Sequence, residues 1–467
     1  MKGHLAKYLK RSSLLGGARI FYISIVLFLF YYYPRNLSKS IFAQYQQIFI
    51  LVSFGSSLLA VGLYYIIGLL QRQPFAKQVV NIVKRAKWFY IITSIVILGR
   101  LLSTKGIDVA LICSIIFLIA SAALYAIAEA VLIKHKEDRF VFTMNILYAL
   151  AFLGVHILLI PYSGINTLIA AWAGITAART LAFIYKIYKI EAADGNAGYP
   201  IPDVLYKQWQ WLAANDSVEL VNTYLDKLLL SFFISNELFA VYIMGTYEIP
   251  IFTIIIAVIG FQFNVQHEES HTDEHILSLF KSSTLFIACG LFPLFIYFFL
   301  HCQDIFHFLF GDKYEGSIEL FRFTTFLIPL RIANYVSIIQ VKKQSKYVLY
   351  GSLLSIILYI GFIALLYPKS GLMGIVYATL ISTYLQILYY LVMTGKILGL
   401  PFYKVFPFGG LLLVLGINVM VMGIAEYIIQ NKEALPALLN GIIPLVLCIA
   451  INYWIVYKIY IRKAQIA

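Results

Sequence analysis

The sequence predicts an all-α polytopic membrane protein of about 14 transmembrane helices, and three observations predict it. Of 467 residues, 61% are hydrophobic and only 12% charged, roughly half the charged share of a soluble globular chain. Apolar runs recur along the whole chain, each near the roughly 20 residues that a bilayer crossing needs. Lysines and arginines gather in the short segments between those runs, where they act as topology signals.

Taken in order, the expected spans are 12–33, 41–70, 88–103, 109–133, 140–160, 165–188, 209–233, 238–266, 281–304, 319–341, 348–367, 371–393, 407–429 and 438–460. The first is too long for a signal-peptide core and has no small-residue cleavage site, so it reads as a helix. The third is short, and the second is long enough to tilt or protrude. Placing the N-terminus inside puts the densest basic groups, Lys2/Lys7/Lys10/Arg11, Arg72–Lys87 and Lys134–Arg139, in the cytoplasm. An even number of spans then puts both termini there. The net charge of +14 is therefore spent on orientation, and no basic-aromatic module for nucleic acid is present. Cys113, Cys289, Cys302 and Cys448 lie in or beside apolar spans without CxxC spacing, which predicts buried, inert thiols.

The chain divides by topology into a first lobe at 1–190, a polar cytoplasmic linker at 191–208 with Asp194-Gly195-Asn196 and two prolines, a second lobe at 209–395, and two appended helices at 396–467. Internal similarity supports two six-helix lobes. Ser38-Lys39-Ser40-Ile41-Phe42-Ala43-Gln44-Tyr45 matches Ser235-Asn236-Glu237-Leu238-Phe239-Ala240-Val241-Tyr242 at four positions. Leu159-Ile160-Pro161-Tyr162-Ser163-Gly164 answers Leu366-Tyr367-Pro368-Lys369-Ser370-Gly371. The pairs fall in the same order, as parallel repeats of equal topology would place them.

Span 209–233 carries an unusual polar stripe. Asn215, Glu219, Asn222 and Asp226 recur at steps of four and three, with Asp216, Thr223 and Lys227 widening it. Ionisable groups at membrane depth are costly unless they face protein or water, so the stripe predicts a cavity wall. Besides Lys227, the basic residues singled out within spans are Arg19, Arg100, Arg179, Arg322 and Arg331. Arg100 and Arg322 lie near helix ends, where snorkelling is an adequate explanation. Arg19, Arg179 and Arg331 lie deeper, and Arg179 shares a face with Thr176 and Trp172. Inward guanidiniums suit a phosphate, which they grip through a planar donor fork.

His267-Glu268-Glu269-Ser270-His271 fits the HExxH pattern of zinc proteases. Here it sits in a short polar connection and His275 would share its helical face, so a solvated acidic loop is expected and no metal site. Neither a GxxxxGK[ST] loop nor a dinucleotide fingerprint occurs, so no cofactor is expected, and transport would draw on an ion, potential or substrate gradient.

Leu225-Asp226-Lys227-Leu228-Leu229-Leu230 running into Ser235–Tyr242, then Leu309-Phe310-Gly311-Asp312-Lys313-Tyr314, then Tyr367-Pro368-Lys369-Ser370-Gly371-Leu372-Met373-Gly374 carry a family resemblance. In their order and spacing the chain resembles the polysaccharide-transporter group of the multidrug/oligosaccharidyl-lipid/polysaccharide exporters, which includes O-antigen and capsule flippases. Span one departs from that pattern. The resemblance implies two six-helix lobes around a central cleft, two further helices, and alternating access. It also implies an undecaprenyl-pyrophosphate-linked oligosaccharide as substrate, moved to the outer leaflet of a bacterial inner membrane for lipopolysaccharide or capsule synthesis. The implied protein is a monomer and not an enzyme. The substrate's pyrophosphate falls to Arg19, Arg179, Arg331, Lys227, Arg322 and Arg100, and a coupling proton or sodium ion to the stripe of Asn215, Asp216, Glu219, Asn222 and Asp226. A multidrug cation antiporter should have a more acidic cavity, and a polysaccharide polymerase or ligase a long external loop.

Overall fold

The structure is a computed structural model that describes residues 2–61, 79–80, 83–84, 86–103, 108–194, 203–247, 272–429 and 437–456. These residues are helical throughout, without a strand among them. Eight segments among them are long and apolar enough to cross a membrane, and a shorter apolar helix follows at Gly441–Val456. The longest segment, Lys346–Leu398, holds the two expected spans at 348–367 and 371–393. The chain is a multi-pass, all-α membrane protein, and it divides into two compact units, Met1–Ala240 and Val241–Ala467. That division follows packing and is distinct from the division by topology expected above.

In the first unit the helices are α1 (Lys2–Asn36), α2 (Lys39–Ala60), α3 (Lys87–Ser103), α4 (Val109–Lys134), α5 (Asp138–Leu159), α6 (Gly164–Ala192), α7 (Asp203–Phe233) and α8 (Asn236–Gly245), the last reaching into the second unit. α2 ends at Ala60, where the capping Val61 turns to an extended ψ of 130°. The expected span runs on to residue 70, and its part at 62–70 lies outside the described residues. α4 starts on Asp108, whose Oδ1 accepts from the Leu111 amide at 2.7 Å. This N-cap satisfies one of the orphan donors of the first turn, and Asn166 of α6 donates to the second carboxylate oxygen at 3.1 Å. Phe54, Leu58, Leu132, Val141 and Phe183 form the core between α2, α4, α5 and α6.

The aligned sequence pairs take the same local form. Ser38 Oγ accepts from the Ile41 amide and Ser235 Oγ from the Leu238 amide, both at 3.3 Å. The other identities, Phe42/Phe239, Ala43/Ala240 and Tyr45/Tyr242, are all buried. Gly164 and Gly371 each break a long helix with positive φ, 74° and 54°. A left-handed backbone is cheap for glycine alone, which is why each Pro-x-Ser-Gly sequence becomes a hairpin.

In the second unit α9 (Asp273–Leu300) packs on α15 (Phe408–Ile429) and α16 (Ala437–Val456), with Ile276, Phe280, Phe292, Ile332 and Phe406 in its core. Asn452 Nδ2 donates to Asn418 Oδ1 at 2.8 Å and to the Cys289 carbonyl at 3.3 Å, a polar tie of the kind that holds helices together in lipid. Between them the chain runs through α10 (Cys302–Phe310), α11 (Ile318–Thr324), α12 (Ser337–Val341), α13 (Lys346–Leu398) and α14 (Phe402–Val405).

The expected helix at 319–341 is not one helix. α11 gives way to a 3₁₀ segment at Thr325–Ile332, Ala333 is extended, and α12 is only five residues long. Pro329 lacks the N–H that an α-helical ladder needs there, and Arg331 follows it in the 3₁₀ turn. One of the four thiols also departs from expectation: Cys113 is exposed on α4, whereas Cys289, Cys302 and Cys448 are buried.

Candidate functional site

In the first unit a cavity of about 270 Å³ is walled by α1, α4, α5 and α6. The middle of α1, the end of α4, the first half of α5 and the C-terminal half of α6 lie side by side in this group, which is how four distant sequence segments meet. α1 brings Arg19 and Tyr22, α4 brings Tyr125 and Glu129, α5 brings Asn145 and Tyr148, and α6 brings Arg179. Each of the first three pairs is spaced by three or four residues, so both members face the cavity.

Arg179 lies between two tyrosines, its Cζ 3.4 Å from the ring centroids of Tyr125 and of Tyr148. Each such contact contributes on the order of 0.5–2 kcal/mol, more as it is desolvated. Stacking satisfies the face of the guanidinium but not its edge, and Nε is buried with no hydrogen-bond partner among the described residues. Tyr148 is itself fixed. Its hydroxyl accepts from Trp172 Nε1 at 3.0 Å and lies 3.2 Å from Thr176 Oγ1. The face of Trp172, Thr176 and Arg179 therefore converges on one ring.

Glu129 is held differently. Its Oε1 accepts from the Tyr125 hydroxyl and from Asn145 Nδ2, both at 2.7 Å. Its Oε2 lies 3.7 Å from an Arg19 nitrogen, and the side chains are 12% and 68% exposed respectively. The carboxylate is thus fixed and the arginine loosely paired.

The other basic candidates have local partners. Arg100 donates to Ser231 Oγ at 2.7 Å and lies over the Phe232 ring, tying α3 to α7. Arg322 bonds Glu319 at 2.5 Å and Cys302 Sγ at 3.1 Å. Lys227 pairs with Asp226 at 3.3 Å. Arg331, in the second unit, is exposed. Of the six, the cavity brings together Arg19 and Arg179.

The stripe on α7 has a definite direction. Ala213, Leu220, Val221, Tyr224 and Leu228 pack on the first unit's core. At about 100° per residue, Asn215, Glu219, Asn222 and Asp226 lie on the opposite side of the helix. Glu219 is exposed, while Asn215, Asp216, Asn222 and Asp226 are half-buried. Asn215 Oδ1 is buried without a hydrogen-bond partner among the described residues. The HExxH segment at 267–271 lies outside the described residues, and among those described no group of three metal-binding side chains occurs.

Tyr22, Tyr125, Glu129, Asn145 and Tyr148 are cavity residues that the sequence reading passed over. Glu129 had a usable signal, being the lone carboxylate within the apolar span 109–133, with a tyrosine one turn before it.

No protein-family model matches the chain, and no curated protein matches it. Among solved structures it is similar to a lipid II flippase, MurJ, in its inward closed conformation. The match has a TM-score of 0.62 and 15% identity, covering 95% of this chain and 99% of that one. A MATE transporter from Vibrio cholerae matches with a TM-score of 0.49 and 15% identity, covering 83% of this chain and 98% of the other. The first likeness spans nearly the whole chain and is a likeness of fold.

Proposed function

We propose that this protein is a transporter of the exporter superfamily resembled by its sequence. It moves a lipid-linked oligosaccharide, carried on undecaprenyl pyrophosphate, from the cytoplasmic to the external leaflet of a bacterial inner membrane by alternating access. The carrying observation is the charge of the cavity, which sets two guanidiniums, Arg19 and Arg179, against one carboxylate, Glu129. A site of that balance within membrane spans favours an anion over a cation, because charges interact more strongly there than in water. The lipid II flippase whose fold the chain shares handles a lipid-linked molecule, which agrees with this reading. On this proposal the α7 stripe supplies the groups that take up a coupling proton or sodium ion.

With the N-terminus in the cytoplasm, the cavity lies toward the cytoplasmic side. Glu129 is roughly 8 Å in from the Lys134 end of α4, at 1.5 Å per residue. That is the side on which a lipid-linked sugar would load. Reporter fusions should place both termini inside; an external N-terminus would put the cavity on the release side and reverse the proposed direction. Deleting the protein from its host should leave lipid-linked oligosaccharide stranded on the cytoplasmic leaflet. Unchanged export of surface polysaccharide from that strain would contradict the reading.

A further inference from the structure

Resting on that reading, we infer that Glu129 is an internal counter-ion: the substrate's diphosphate takes Arg19 from it, and Glu129 helps to drive the diphosphate off by reclaiming Arg19. The two arginines of the cavity are held in different ways. Arg179 is clamped between the Tyr125 and Tyr148 rings and forms no ion pair among the described residues, so no carboxylate competes there for its edge. Arg19 is 68% exposed and meets Glu129 at 3.7 Å, too far for a hydrogen bond. It is the more weakly held member.

Glu129 is built to survive the loss of Arg19. Its Oε1 keeps two donors, Tyr125 and Asn145, at 2.7 Å, and neither belongs to α1. An ionised carboxylate can therefore stay in place while Arg19 swings to the incoming anion. The cavity carries a net single positive charge when empty, and the shared arginine has two alternative partners. Transport needs interactions that differ between loaded and empty states, and this exchange supplies one. Glu129 therefore sets release, whereas Arg179 sets binding.

The test measures affinity of the full-length chain in nanodiscs for farnesyl diphosphate, a soluble prenyl diphosphate whose terminal phosphate carries one more ionisable oxygen than the substrate's doubly esterified group. Glu129→Gln keeps the oxygen that accepts from Tyr125 and Asn145 but removes the charge. It should bind the probe roughly two- to fivefold tighter, the scale of one partly exposed ion pair, and should move substrate more slowly. In an Arg19→Gln background the same change should have no effect on affinity. Glu129→Asp draws the carboxylate back by one methylene and should tighten binding less, which keeps the test open where the glutamine variant does not fold. Unchanged or weaker binding in a Glu129 variant that unfolds at the wild-type temperature would overturn the exchange alone. So would equal tightening with and without Arg19. Wild-type protein that binds no farnesyl diphosphate would instead overturn the anion-transport reading on which the exchange rests.

Discussion

Replacing Arg179 with glutamine is expected to lower transport roughly ten- to hundredfold in a protein that still folds. A charge-assisted hydrogen bond contributes about 1.5–3 kcal/mol, and each 1.4 kcal/mol is about a factor of ten. Glutamine loses the charge and the donor fork together. It also loses the stacking on Tyr125 and Tyr148, at 3.4 Å from each ring, so some loss of thermal stability should accompany the loss of transport. Lysine at 179 keeps the charge but not the planar fork, and should retain intermediate activity. The ordering wild type, lysine, glutamine in a flipping assay, at matched membrane expression, is the prediction. Glutamine and lysine variants of equal activity would show that the fork plays no part. Wild-type activity in both would remove Arg179 from the site.

The second large effect concerns folding. Gly374 in α13 approaches the preceding limb of the Gly371 hairpin so closely that an added Cβ would lie 2.4 Å from the Leu366 carbonyl oxygen. Backbone on the far side of a tight turn cannot step aside as a side chain can, and overpacking of this kind costs about 1–3 kcal/mol or more. Gly374→Ala should therefore lower the thermal unfolding temperature markedly. Gly361 lies in the limb before Gly371, with nothing within 4 Å of a built Cβ. There alanine should raise the unfolding temperature slightly, because it is the better helix former by about 1 kcal/mol. Opposite signs at two glycines on the two limbs of one hairpin are the expected result, read by fluorescence-monitored melting in detergent. Equal behaviour would mean that the hairpin is looser than described.

Much of the fold was legible because membrane helices announce themselves by length and apolarity. The repeated Pro-x-Ser-Gly sequences at Gly164 and Gly371 also carried real geometry, two hairpins turned by left-handed glycines. Periodicity placed the α7 stripe on one face, and that face is the one the first unit's core leaves uncovered. What hydropathy could not show is how helicity fails inside an apolar run. The segment 319–341 is apolar enough to span, yet Pro329 turns its middle into a 3₁₀ segment.

The cavity was half legible. Charge drew attention to Arg19 and Arg179, but their neighbours are tyrosines and an asparagine, which are common in such spans and give no signal until four helices meet. Glu129 is the exception, a lone carboxylate in an apolar span that sequence alone marks out. Arg322 and Arg100 looked alike in sequence, and only their contacts with Glu319 and Ser231 separate them from cavity residues.

The central claim is that a diphosphate is held in the first unit by Arg179 and Arg19. A cryo-electron microscopy structure of the full chain with bound undecaprenyl diphosphate tests it most directly. The account predicts phosphate density against the free edge of Arg179, within hydrogen-bond distance of Nε or a terminal nitrogen, with Arg19 drawn away from Glu129. Phosphate density elsewhere, with Arg179 still stacked and unoccupied at its edge, would contradict it.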